Sequence, residues 1–302
     1  MFEHRQLPLL AAAGGLAGAV LRAMQLATGF EPMTGLYIQG GLWGRLLAAL
    51  LACLGLLCVF FARRGQHNAS FETLFGSSSD LYKTILAFSG LLLAAGGAAW
   101  LPIELEAVQA FPEDTSPWIL ALEIPFGLLC VAAGLCLVGL GATLARGAVT
   151  ARSAKLVLPP LFWAAFQLLV VYRQYCVSAN LALFTLEIFA SIACVMAFYH
   201  FARMLYGRPA PRQFTFWAAL GVMLSLSDVL GYCFSLALGN VAVRWTLGAL
   251  VRGGCLMMGC VFLLTELWLV TGRVFPAVAG STAAHGADGA GEPESGGAAE
   301  EA

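Results

Sequence analysis

The stretch Trp118–Ala145, WILALEIPFGLLCVAAGLCLVGLGATLA, decides the fold class. Its only charged side chain is Glu123, and as a helix it would be about 42 Å long, enough to cross a hydrocarbon layer about 30 Å thick. On either side of it, seven further apolar segments occupy residues 8–28, 38–62, 81–101, 157–177, 181–206, 213–237 and 242–271. None alternates with period two, so a barrel is not expected, and lipid then leaves only helices, which satisfy their own backbone groups. Pro159 and Pro160 open the 157–177 segment, where proline fits a first helical turn.

Composition agrees with this reading. Of 302 residues, 60% are apolar and 11% charged, against roughly 25% charged in soluble domains. The net charge of −1 offers no basic surplus for a nucleic-acid partner. The chain therefore reads as an all-α integral membrane protein, an eight-transmembrane-helix bundle over 1–273 in contact with the lipid bilayer. After it, 274–302 is Ala/Gly/Ser-rich, with Asp288, Glu292, Glu294, Glu300 and Glu301 and no Lys or Arg, which reads as a disordered acidic cytoplasmic tail. The first segment has the basic start of a signal peptide (His4, Arg5), but Arg22 interrupts its apolar run, so it reads as a retained helix.

Lysine and arginine accumulate in short cytoplasmic loops. Arg63, Arg64, Lys83, Arg146, Arg152, Lys155, Arg203, Arg208 and Arg212 flank alternate loops, with Arg5 and Arg273 at the ends, whereas 29–37 and 102–117 hold only Glu31, Glu104, Glu106, Glu113 and Asp114. Both termini are expected in the cytoplasm, with the chain in the cell (plasma) membrane. The sequon Asn68-Ala69-Ser70 then falls inside the cell and carries no weight.

Echoes between segments suggest four related helical hairpins. Leu122-Glu123-Ile124 followed by Cys130-Val131 matches Leu186-Glu187-Ile188 followed by Cys194-Val195, and Phe162-Trp163-Ala164-Ala165 recurs as Phe216-Trp217-Ala218-Ala219. Cys58-Val59-Phe60 likewise returns as Cys260-Val261-Phe262. The small residues Gly14, Gly18, Gly96, Gly97, Gly253 and Gly254 are read as sites of close helix approach.

Chemistry-bearing motifs are sparse. The nine cysteines form no C-x-x-C pair and are read as small hydrophobes, with Cys176 and Cys233 alone placed for a disulfide. The four histidines cannot form a haem pair across two helices. Neither a metal nor any other cofactor is expected. Ser225, Ser227 and Asp228 lie together without a nucleophile elbow or zinc motif, so an enzyme is not expected.

Charged residues inside the segments remain, and such residues normally face a bundle interior and mark function. Arg22, Arg45, Glu123, Arg173, Glu187, Asp228, Arg244 and Arg252 all fall at the outer level or near the midplane, with the inner half read as nearly free of charge. Arg173 and Glu187 are equidistant from Asn180, and Asp228 and Arg252 from Asn240; taking both asparagines as tight turns puts these pairs about 10 and 18 Å deep. They are expected as ion pairs, with Glu123 neutralising Arg45 or Arg22.

Five arginines against three acids imply an outward-open cavity of positive character, which Gln167, Tyr172, Tyr175, Ser225, Ser227 and Tyr232 could complete. The expected function is binding or transport of a small anionic or zwitterionic solute at Arg22, Arg45, Glu123, Arg173, Glu187, Asp228 and Arg252, with Asp228 as the coupling residue. The alternatives are a non-transporting sensor or subunit docked on a membrane-protein partner, and an intramembrane lipid-modifying enzyme.

Overall fold

A computed structural model describes residues 6–31, 36–38, 40–64, 75–110, 117–147, 150–176, 181–239 and 246–272. Its helices are α1 (Leu7–Thr28), α2 (Leu42–Arg63), α3 (Asp80–Ala110), α4 (Pro117–Arg146), α5 (Leu158–Tyr175), α6 (Leu181–Leu205), α7 (Pro211–Ala237) and α8 (Leu247–Gly272). Among the described residues, all eight are long and apolar enough to cross a membrane, and strand pairing is confined to the isolated bridge Phe30–Tyr37. The chain is a multi-pass membrane protein. The acidic tail, Asn180, Asn240 and Arg244 lie outside the described residues.

Local chemistry sets the helix starts. Proline occupies the first turn of α1, α5 and α7, where its missing N–H would have no intrahelical partner. A capping box joins Thr150 and Ser153 in the short turn Ala151–Ala154 that leads into α5, satisfying two orphan donors. Three boundaries differ from the apolar runs by four residues or more, the first being α2, which begins at Leu42 rather than 38. α3 continues past Pro102 to Ala110, so Glu104 is helical; the apolar window ended where polarity, not helicity, changed. α8 begins at Leu247, so the α7–α8 connection is longer than a tight turn at Asn240.

The helices pack as a closed ring: α3 on α4, α4 on α5, α5 on α6, α6 on α7, α7 on α8, and α8 back on α3. α1 and α2 stand outside it, α1 along α7 and α2 against both. α7 is thus shared by ring and hairpin, and 61% of its span is buried against 22% for peripheral α2. Small residues allow the tightest approaches. A Cβ at Gly15 would come within 2.7 Å of Leu226 Cβ, and one at Gly97 within 2.6 Å of the Gly127 carbonyl oxygen. Gly254 is a different case, because a Cβ there meets nothing within 4 Å; it does not serve close packing.

Two ends follow from this topology. The turn end holds the α1–α2, α3–α4, α5–α6 and α7–α8 connections, and the opposite, terminal end holds the remaining connections. At the terminal end Phe75 tucks beneath the bundle, edge-on to Phe201 at 5.2 Å and Phe214 at 5.5 Å, aided by Gly76 at φ +100°, a conformation side chains resist. Midway, the ring is filled by aromatic side chains: Trp163 packs on Gly259 and Phe198, and Phe262 on Phe198 and Phe201.

Candidate functional site

Six of the buried or half-buried charges converge in the turn-end half, on six helices. Arg252, 1% exposed, holds Glu187 through two prongs, Nε to Oε1 at 2.8 Å and Nη2 to Oε2 at 3.3 Å. Its Nη1 also donates to Gln174 Oε1 and its Nη2 to the Tyr175 hydroxyl. Gln174 Nε2 in turn donates to Glu123 Oε1 at 3.3 Å, and Arg173 Nη1 lies 4.0 Å from the same oxygen. The planar guanidinium suits such a shared, two-pronged arrangement. Tyr175 is held in place by stacking on Phe184, with centroids 3.4 Å apart.

A second group lies one helical turn away along α6. Arg22 donates from Nη1 to Gln25 Oε1 at 2.8 Å and from Nη2 to the Leu183 carbonyl and, at 3.5 Å, to Asp228 Oδ1. Arg22 and Asp228 are both almost wholly buried, and the guanidinium carbon stands 5.4 Å from the Tyr232 ring centroid. Gly231 makes room for the Arg22 stem, since a Cβ there would meet its Cγ at 2.5 Å.

The partners are therefore exchanged relative to the sequence expectation. Arg252 pairs with Glu187, Asp228 with Arg22, and Arg173 with Glu123. Helix ends explain the exchange. Glu187 lies six residues into α6 and Arg252 five into α8, roughly level at about 8 Å, whereas Asp228 lies nine residues from the end of α7 and Arg173 only two from that of α5. The long α7–α8 connection displaces Arg252 toward the turn end, out of register with Asp228.

The positive surplus is corrected too. Arg22, Arg173 and Arg252 pair with Asp228, Glu123 and Glu187, half-buried Glu104 of α3 adds a fourth carboxylate close enough to act on Arg252 and Glu123, and Arg45 is exposed on the first turn of α2, apart from the network. Tyr172 is 60% exposed and is not in the lining. Ser227 serves packing, donating to the Gly15 and Met223 carbonyls at 3.2 and 2.8 Å. Cys176 and Cys233 are exposed free thiols. Among the described residues no group of three or more His, Cys, Asp or Glu gathers to hold a metal. An apolar groove of about 320 Å³ between α1 and α7, lined by Val20, Ala23, Met24, Phe234, Ala237 and Leu238, presents no polar group to a solute.

Two features escaped the sequence reading, and a third, Gln167, was expected in the lining but not as a buried amide without partners. Gln174 and Gln25 bridge the charges, and their signal was a polar amide inside an apolar run. Glu266 is fully buried in the terminal half of α8, as the sole acid of that span. Below the network, two turns along the same face of α5 from Gln174, Gln167 is 1% exposed, and neither its oxygen nor its nitrogen has a hydrogen-bond partner among the described residues.

The chain matches no protein-family model, no curated protein and no solved structure.

Proposed function

We propose that the turn-end network binds a small zwitterionic solute and that the protein moves it across the membrane. The observation that carries this reading is Gln167. A buried amide without partners is destabilising by about 1–3 kcal/mol, and this one lies beneath an exchangeable set of three guanidinium and three carboxylate groups. Charges borne on different helices can open toward a ligand that offers the same two charges. A zwitterion does so without altering the net charge of the site, whereas a net anion would add to the carboxylate surplus that Glu104 already gives it; the broader expectation of an anionic or zwitterionic solute narrows accordingly.

Arg173, whose side chain is 29% exposed, supplies the approach from the turn end. Beneath Gln167 the aromatic layer of Trp163, Phe198 and Phe262 closes the path. Asp228 is the coupling residue of this proposal, set against Arg22 rather than Arg252. The excess of Lys and Arg at the terminal end supports a cytoplasmic location for both termini and a plasma-membrane orientation with the network outside. The sequence echoes and the side-by-side packing of α1–α2, α3–α4, α5–α6 and α7–α8 support an origin from related hairpins.

Uptake into proteoliposomes tests the function. Labelled amino acids and betaines should enter above the level of empty vesicles, dicarboxylates should not, and Arg252→Gln should abolish the signal. Absence of uptake for both solute classes would sink the reading. A second reading, a subunit of a larger membrane complex, is favoured by one observation: α2 buries little of its span and exposes Leu42, Leu46, Leu56, Leu57 and Phe60. A stoichiometric membrane-protein partner retained in mild detergent would support it.

A further inference from the structure

Glu266 stands apart from every group used above. It lies fourteen residues beyond Arg252 on α8, about 21 Å further along the helix axis, with the aromatic layer around Phe262 between them. Glu266 and Tyr82 are both fully buried. The Tyr82 hydroxyl donates to Glu266 Oε1 at 2.8 Å, while Oε2 has no hydrogen-bond partner among the described residues.

Among the described residues, the helices packed on α8 bring no cation to it. From α3 comes Tyr82; the nearby Lys83 is engaged with Asp80 at 3.1 Å on the exposed face. His200 and Arg203 of α6 and Arg212 of α7 belong to the same end, and none forms an ion pair with Glu266 among the described residues. Described α1 carries no charged side chain at this end. A bare carboxylate here would be an uncompensated charge in an apolar interior, which proteins avoid by neutralising the group.

We propose that Glu266 is a proton-binding site of the terminal half, loaded from the terminal-end aqueous face. The step is simple: a proton from water joins the carboxylate at Oε2, leaving Oε1 to accept from Tyr82, and the carboxylic acid is neutral. A metal ion is the poorer occupant, because the hard cations commonly take six or more oxygen ligands and this site offers two carboxyl oxygens and one phenol. Glu266 lies six residues before the end of α8 and Tyr82 two after the start of α3, so the proton has about 9 Å of helix to cross. A role in driving solute movement rests on the function proposed above; the bound proton does not.

Dicyclohexylcarbodiimide, which attacks protonated carboxyls in apolar surroundings, tests this on the full-length protein in lipid vesicles, read by peptide mass spectrometry. Glu266 should be modified, and the rate should fall about tenfold per pH unit once the site begins to empty. Tyr82→Phe, which keeps the ring and removes the donor, should move the pH of half-maximal labelling. Glu266→Gln should remove the adduct; if that variant does not fold, the site of modification in the unaltered chain gives the same answer. No adduct on Glu266 at any pH overturns the proposal, as does protection by sodium at fixed pH, which would assign the site to a metal cation. Neither result depends on solute uptake, so failure here is distinguishable from failure of the transport reading.

Discussion

Arg252 on α8 grips Glu187 on α6 through two hydrogen bonds of 2.8 and 3.3 Å, across 65 residues of sequence. Removing one partner strands the other charge in a low-dielectric interior, which typically destabilises by about 3–5 kcal/mol. Arg252→Ala and Glu187→Ala should each lower the thermal unfolding midpoint in detergent. Arg252→Met combined with Glu187→Leu should recover most of the loss, because two apolar groups leave no orphan charge. A double substitution as unstable as the sum of the singles would show that the pair is not coupled.

Asp228→Asn should act through Arg22. The amide keeps the shape but leaves the guanidinium, 1% exposed, without its carboxylate. Stability should drop by about 2–4 kcal/mol, and Arg22→Gln in the same chain should restore part of it. Solute uptake should be lost in both the single and the double variant, since stability and coupling are separate demands on this carboxylate; recovered uptake in the double variant would remove Asp228 from the mechanism.

Gln167→Leu separates binding from folding. Exchanging an amide that lacks partners for an apolar side chain of similar size should leave stability unchanged or raise it by about 1–3 kcal/mol. The same change should weaken solute binding in a ligand-induced thermal-shift assay. A stability loss would mean that the amide has partners of its own in the folded protein.

Glycine packing gives an internal contrast. At Gly18 an added Cβ would run into the Ser227 hydroxyl, whereas at Gly254 it meets nothing within 4 Å. Gly18→Ala should destabilise by about 1–3 kcal/mol through overpacking. Gly254→Ala should be neutral or stabilising, since alanine is the better helix former by about 1 kcal/mol. Circular dichroism melts of the two variants make the comparison.

Orientation is testable through Cys176, exposed at the turn end of α5. A membrane-impermeant maleimide added to intact cells should label it. In a Cys176→Ala variant the residual signal should fall to that of Cys233, the other exposed thiol near this end. Labelling of Cys176 only after lysis would reverse the topology.

The spans were legible because apolar runs and helical spans coincide wherever lipid is the solvent, as Trp118–Ala145 shows. The charged site was legible in membership: Arg22, Glu123, Arg173, Glu187, Asp228 and Arg252 gather in the turn-end half, at depths that differ by up to about two helical turns, although Arg45 does not join them. Pairing was not legible. It depends on where each helix ends, and a helix can outrun its apolar window, as α3 does through Glu104, or fall short of it, as α8 does before Leu247. Glu266 was overlooked because a single acid in an apolar run has no pattern, and its meaning comes from Tyr82, a residue 184 positions away.

The distance between Arg22 and Asp228 along the chain, 206 residues, sets a condition on biogenesis. Synthesis delivers α1 first, with a guanidinium that translocon-insertion scales penalise by about 2.5–3.5 kcal/mol at mid-helix. Its carboxylate arrives only after five more helices have been made. The nascent α1 must therefore wait beside water, lipid headgroups or the insertion machinery, and settle into the bilayer as α7 emerges. The first helix is thus seated only late in assembly, with α8 alone of the described helices still to follow.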